Sequence, residues 1–346
     1  MAHISKSRLS ATVRYLLNGR LPPGQVARDQ FLDIPAITDE EIVEAKTFFP
    51  MEKFFIFGHA RSGTTLLTRL IRLHYKVHCN YQGHFFTRPP LLQSLVSDNE
   101  IQSWLTRRSN RWNRSKNPSP VILRATADFM LEREARKLGK SIVGDKSPNS
   151  LLNGRAVTLL HNIYPDACLI YIIRDGRDAV VSHRFQSFID ATQHLSRDDW
   201  KIRESFIKNP EFFINGNHSI FIEKGLRKVA LGWDLNVRET VQKGEALFKD
   251  RFYTLKYENL LEDPSKELLL VWDFLNAGDP QTDITGQITI EMQSNPDAEW
   301  QNKKAGDIAS ALQKGKRGSW EQYFTKNDRR VFEETAGVTL KNWGYI

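Results

Sequence analysis

Cysteine is scarce in this chain: Cys79 and Cys168 are the only two in 346 residues. Two thiols cannot supply a disulfide framework, and Cys168 falls in an apolar strand candidate, so a reducing, cytoplasmic setting is expected. Long hydrophobic runs are also missing. Stretches such as Leu169 to Ile173 fall far short of the ~20 apolar residues that a bilayer-spanning helix needs, so no membrane span is expected. Before Gly19 the one apolar block is Tyr15-Leu16-Leu17, too short for a secretory core. Neither an internal repeat nor a low-complexity tract occurs, which sets solenoids and disordered arrays aside. No cluster of His, Cys and carboxylates has metal-ligand spacing, so no metal is expected.

One further absence is a single lysine. An apolar strand candidate, Phe54-Phe55-Ile56-Phe57, runs into Gly58-His59-Ala60-Arg61-Ser62-Gly63-Thr64-Thr65. A helix follows with Leu66, Leu67, Leu70 and Ile71 on one face. Strand, glycine-bounded loop and helix in that order form the layout of a phosphate cradle. Gly58 and Gly63 have Walker A spacing, yet Thr64 stands where that motif places its lysine. The loop keeps the backbone cradle without the side chain that holds a γ-phosphate, which argues against a P-loop nucleotide kinase. Backbone N–H groups of Arg61, Ser62, Gly63, Thr64 and Thr65 at a helix N-terminus favour a phosphate. The Thr64 and Thr65 hydroxyls add donors, and Arg61 adds a planar fork for oxyanions.

Forty-nine Lys and Arg face 41 Asp and Glu, a formal net charge of +8, which favours an anionic ligand or acceptor. The densest basic segment, Arg107 to Lys116 with Trp112 inside it, reads as a solvated loop or an entrance for acidic substrates. A nucleic-acid patch is the alternative.

Strand candidates at Lys53 to Phe57, Ser141 to Val143, Cys168 to Ile173 and Arg251 to Tyr257 are short and apolar, as in strands covered on both faces. Helical spacing separates them: Ala156 to Ile163, Leu226 to Val241, and Leu268 to Leu275 behind Asp263-Pro264, a helix start. The alternation predicts an α/β fold, a P-loop-type three-layer sandwich around a mainly parallel sheet of about five strands. Residues 1–48 read as an N-terminal helical extension and 49–346 as the main domain. Within the latter, 190–225 is polar with scattered aromatics and no clear period, and is expected to be a substrate-side insertion or lid.

Two further segments suit the same ligand. Tyr171-Ile172-Ile173-Arg174-Asp175-Gly176 ends a buried strand and turns into a helix that carries Ser182. Ligands of open α/β sheets sit beyond the carboxyl ends of the strands, where Arg174 and Ser182 could meet on one anion. Taken alone, Arg-Asp-Gly-Arg would also serve as a surface ion-pair cluster. Gln313-Lys314-Gly315-Lys316-Arg317-Gly318-Ser319-Trp320 is a cationic loop followed by aromatic anchors.

Together these segments resemble the sulfotransferases that use 3′-phosphoadenosine 5′-phosphosulfate (PAPS) as donor. Arg61-Ser62-Gly63-Thr64-Thr65 resembles their 5′-phosphosulfate loop, in the arginine form of the tyrosylprotein and carbohydrate enzymes. Arg174 and Ser182 match the pair that binds the 3′-phosphate. Lys314-Gly315, with Gly318 and Trp320, matches the C-terminal family loop, although Gln313 stands where arginine is common. Gly144-Asp145-Lys146-Ser147-Pro148 is similar to a segment whose lysine stabilises the transferring sulfuryl group, and Lys256-Tyr257-Glu258-Asn259-Leu260 to a late strand–helix junction. The resemblance spans roughly Phe54 to Thr325. It implies metal-independent, in-line sulfuryl transfer from PAPS to a hydroxyl or amine, with adenosine 3′,5′-bisphosphate (PAP) as product, and with Arg61 and Lys146 at the reacting group.

A general base is still required, and here the family pattern breaks. Gln82 stands where tyrosylprotein-type members carry glutamate, and Pro148 where cytosolic members carry histidine. His84, in Tyr81-Gln82-Gly83-His84-Phe85-Phe86, is the nearest titratable substitute, and histidine's ordinary range suits a base. A hydrogen-bonded histidine in a turn among aromatics is the equal alternative, and Asp145 is a second candidate. A donor-binding relative without catalysis also fits Gln82. The acceptor is expected to be a small molecule, carbohydrate or lipid rather than a nucleic acid.

Overall fold

The computed structural model describes residues 33–87, 92–107, 116–149, 153–294 and 317–346, together with Glu299, Lys303, Gly306 and Ile308. Its contacts separate a short N-terminal unit, Met1–Ile34, from the main unit, Pro35–Ile346. Nearly all of the first lies outside the described residues.

The main unit is built on five strands: β1 (Glu52–Gly58), β2 (Val77–Tyr81), β3 (Ile142–Lys146), β4 (Cys168–Ile173) and β5 (Phe252–Lys256). They lie in the order β2-β3-β1-β4-β5, and every pairing is parallel. β1 is therefore central, with its carboxyl end between those of β3 and β4. Parallel neighbours require crossovers, and the intervening helices supply them.

Alternation along β1 divides the core into two layers. Phe54 and Ile56 join Ile170 and Ile172 of β4 in one buried cluster. That cluster also takes in Leu67, Leu70 and Ile71 of helix α2 (Thr64–Ile71) and Leu268, Val271 and Trp272 of α10 (Pro264–Phe274). On the opposite face Phe55 packs against Phe86 and Tyr164, with ring centroids 5.7 and 5.1 Å apart. Tyr171 on that face donates its hydroxyl to Asn236 of α8 (Glu223–Phe248) at 2.8 Å. Sheet and two helical layers thus form the expected α/β sandwich.

Other helices follow the sequence signals closely. Helix α1 (Asp39–Phe48) opens with a capping box between Thr38 and Glu41, and α5 (Arg155–Ile163) occupies the Ala156 to Ile163 periodicity. After the short helix α9 (Tyr257–Glu262), Asp263 caps α10 by accepting from the Lys266 N–H, with Pro264 in the first turn. Between α1 and α5 lie α3 (Asn99–Thr106) and α4 (Ser119–Lys137).

Three features depart from the sequence reading. β2 escapes it because Val77-His78-Cys79-Asn80-Tyr81 interleaves polar residues, as a sheet edge permits. β3 continues three residues past Val143, so buried Asp145 and Lys146 are strand residues. Segment 190–225 contains an ordered helix, α7 (Arg197–Lys208), started by a Ser196–Asp199 capping box. Its Phe206 packs on Phe185 of α6 (Gly176–Asp190), ring centroids 5.1 Å apart. Most of the basic segment at 107–116 lies outside the described residues. Among the described residues no helix is long and apolar enough to cross a membrane.

Candidate functional site

Three chain segments leave the carboxyl ends of the central strands and meet. From β1 comes the loop 59–63, which turns sharply because Arg61 and Gly63 both take positive φ, +71° and +90°. Gly63 is needed twice over. Its backbone is left-handed, and a Cβ there would lie 2.2 Å from Tyr257 Cδ2. The ring of Tyr257 therefore fills the position a side chain would occupy, and it stacks under the Arg174 guanidinium at 4.9 Å. Gly63 caps α2 without a side-chain bond, which leaves backbone donors at the helix start, where an anion is favoured.

From β4 comes Arg174, and from the following helix α6 comes Ser182. Arg174 Nη1 donates to the Arg61 carbonyl at 3.1 Å. Arg61 Nε donates to Ser182 Oγ at 3.1 Å. The two motifs that the sequence placed on one ligand are therefore in direct contact, although 121 positions separate Arg61 from Ser182. Ser62 Oγ is buried and has no hydrogen-bond partner among the described residues. A buried hydroxyl without a partner costs about 1–3 kcal/mol, an arrangement expected where a ligand oxygen completes the site.

From β3 comes Lys146. It is 1% exposed, and its Nζ donates to Thr65 Oγ1 at 3.2 Å and lies 5.6 Å from the Tyr81 ring centroid. Asp145, its neighbour on the strand, points to the other face and does not brace the lysine. It accepts instead from the Gly83 N–H at 2.9 Å and from Ser147 Oγ at 2.6 Å. Burial pushes the Asp145 carboxyl up, and those two bonds pull it back. Ser147 Oγ in turn accepts from the His84 N–H at 2.8 Å, and the Gln82 N–H donates to the Lys146 carbonyl at 2.7 Å. The turn Gln82-Gly83-His84 is thus tied to the end of β3, with φ of +49° at both Gln82 and His84. Left-handed backbone at two non-glycine residues is uncommon and clusters at working sites. The His84 ring Nδ1 lies 2.9 Å from Thr87 Oγ1, and Gln82 is exposed.

His59, the first residue of the loop, stays neutral across ordinary pH. Burial, and secondarily the nearby His183, lower its pKa to about 4. Lys314 and Gly315 lie outside the described residues. The end of their segment is held by Asp178 in the first turn of α6, which accepts from Gly318 N–H and Ser319 Oγ at 2.8 Å and from Trp320 N–H at 2.9 Å. Asp178 also lies 3.9 Å from Arg174. Sequence reasoning assigned no task to Asp178, and its only signal was the Asp within Arg-Asp-Gly-Arg-Asp. It also missed the packing of Tyr257 on Gly63, which no local pattern encodes.

The segments bring backbone donors, two arginines, a buried lysine and several hydroxyls together at the carboxyl ends of the central strands. The Flaveria bidentis flavonol sulfotransferase-like protein is 23% identical over 252 residues, 68% of this chain and 75% of that protein. Mouse sulfotransferase SULT7A1, crystallised with PAP, is 17% identical with a TM-score of 0.45, covering 89% of this chain and 94% of that one. A sulfotransferase from Alicyclobacillus acidocaldarius is 17% identical with a TM-score of 0.38, covering 78% of this chain and 98% of that one. The model of the sulfotransferase family matches residues 53–280, more than half of the chain, and the protein belongs to that family.

Proposed function

We propose that the protein transfers a sulfuryl group from PAPS to a hydroxyl or amine of a small-molecule, carbohydrate or lipid acceptor. The observation that carries this reading is the direct contact of Arg61 with Ser182 and Arg174, beside the bond from Lys146 at the end of β3 to Thr65 at the start of α2. The residues fit the donor. Ser62 Oγ is a buried hydroxyl in want of an acceptor, and the loop has the positive-φ turn and backbone donors that an anion requires. Bound there, PAPS supplies a sulfuryl group already activated by its phosphate leaving group.

The chain's own residues then divide the work. Backbone N–H groups from Ser62 to Thr65 and the Thr64 and Thr65 hydroxyls hold the 5′-phosphate side. Arg174 and Ser182 hold the 3′-phosphate, and the family resemblance adds Lys314 and Gly315 to the same binding role. Arg61 and Lys146 stand where negative charge grows during transfer. A buried lysine acts there in a low-dielectric setting, where its field counts for more than in water. His84 takes the proton from the acceptor, held in place by Ser147 and Thr87. Gln82 at the family's glutamate position supports one other reading, a donor-binding protein without turnover.

The test is radiosulfate transfer from PAPS to a panel of phenols, sugars and lipid alcohols. Label on any acceptor supports the enzyme. PAP binding without transfer across the whole panel favours the non-catalytic reading.

A further inference from the structure

The donor-site reading leaves unexplained why a residue far along the chain, Tyr345, is built into the back of the site. Its hydroxyl donates to Glu258 Oε2 at 2.9 Å. Its carbonyl accepts from Arg177 Nη2 at 2.8 Å. Its ring lies 4.8 Å from Lys256 Nζ, and its own N–H is fixed to the Leu340 carbonyl at 2.9 Å. Every polar group of Tyr345 is therefore engaged.

Both partners lead to the segment that holds Arg174. The other oxygen of Glu258, Oε1, accepts from the Asp175 N–H at 2.9 Å. That N–H belongs to the peptide joining Arg174 to Asp175, so Glu258 fixes the plane of the peptide from which the Arg174 side chain departs. The preceding residue, Tyr257, lies under the Arg174 guanidinium and against Gly63. Arg177 pairs with the Asp175 carboxylate through Nε at 3.0 Å and Nη2 at 2.7 Å, and its guanidinium lies 3.9 Å from the Trp320 ring centroid. Burial pushes the Glu258 carboxyl up, while the Asp175 N–H and the Tyr345 hydroxyl hold it down. Without the hydroxyl, one oxygen of a buried carboxylate loses its donor, and the other oxygen is the one that holds the Arg174 peptide.

We infer that Tyr345, acting through Glu258, is a positioning residue for Arg174 and so sets the grip on the 3′-phosphate of the donor nucleotide. This rests on the donor-site reading above. It predicts an effect confined to the 3′-phosphate rather than spread over the whole nucleotide.

The experiment compares binding of adenosine 3′,5′-bisphosphate with that of adenosine 5′-monophosphate, which lacks the 3′-phosphate, by calorimetric titration of the full chain and its Tyr345→Phe variant. The variant keeps the ring and removes one hydrogen bond. Expected is a loss of roughly three- to tenfold in affinity for the bisphosphate, with the monophosphate unchanged, so that their ratio falls. Equal losses for both ligands would show a purely structural residue and overturn the inference, as would an unchanged ratio. Glu258→Gln provides the second measurement and carries the test if Tyr345→Phe does not fold. An amide there sets a donor against one of the two donors the carboxylate accepts, so the same selective loss is expected and the same outcomes refute it. If the unaltered chain fails to prefer the bisphosphate, the donor-site reading itself falls, a result distinct from an unaltered ratio in the variants.

Discussion

Gly63→Ala isolates the most demanding contact in the donor loop. Two separate costs are expected. At φ +90° an alanine meets the left-handed penalty of roughly 1–2 kcal/mol. Its Cβ would also stand 2.2 Å from Tyr257 Cδ2 and 2.4 Å from Cε2, so the ring must shift, as in an overpacked core, at about 1–3 kcal/mol. Gly139 offers the control, because it has φ +64° and nothing within 4 Å of its would-be Cβ. Gly139→Ala should show the backbone penalty alone. Urea unfolding of the two variants should therefore separate them by about 1–3 kcal/mol, the clash term. Since the displaced ring lies under Arg174, Gly63→Ala should also weaken PAP binding, whereas Gly139→Ala should not. Equal destabilisation by both substitutions would refute the reasoning, since it would mean that Tyr257 yields without cost.

Other substitutions probe the remaining roles. Lys146→Ala should lower kcat by about 10²–10³ while changing PAP affinity far less, as measured by initial rates alongside titration. His84→Ala should lower kcat by about 10²–10⁴ with donor binding intact if the ring takes the acceptor's proton; full turnover in that variant would remove the assignment. His59 has a folded-state pKa of about 4, below its ordinary value, so protons bind the unfolded chain first. Its contribution is present above the ordinary histidine pKa and is lost as pH falls toward 4. Asparagine at that position cannot charge, so His59→Asn should lose less urea stability between pH 7 and pH 5 than the parent chain. A steeper loss in the variant would contradict the assignment.

How much of this was legible depends on how local each cause is. β1 and β4 announced themselves because both faces of a central parallel strand are buried and their residues form unbroken apolar runs. β2 lies at the sheet edge and carries His78 and Asn80, so its pattern falls below that of a covered strand. β3 was read short because Asp145 and Lys146 are charged residues inside a strand, where Asp145 braces the turn at Gly83 and Lys146 bonds Thr65 on the opposite face. Helix α7 was hidden by its charges, as its burial depends on Phe206 meeting Phe185 on α6. The glycine loop was legible because backbone geometry restricts which residues can fill it, with Gly63 at φ +90°, whereas Arg174 and Ser182 stood out as a 3′-phosphate pair only through the family resemblance. Tyr257 against Gly63, Asp178 beneath Gly318, and Tyr345 on Glu258 were not legible. Each is a contact between segments distant in the chain, with no periodicity or spacing to mark it.

On the proposed reading, the loop at Arg61, which lacks a Walker lysine, serves with Arg174 and Ser182 to hold an adenine nucleotide bearing a 3′-phosphate. Calorimetric titration of the chain with PAP and, separately, with ATP and magnesium tests it most directly. Expected are tight, saturable PAP binding that Arg174→Ala weakens by at least about tenfold, and markedly poorer binding of ATP with magnesium. Preference for ATP with magnesium, or PAP binding indifferent to Arg174, would contradict it.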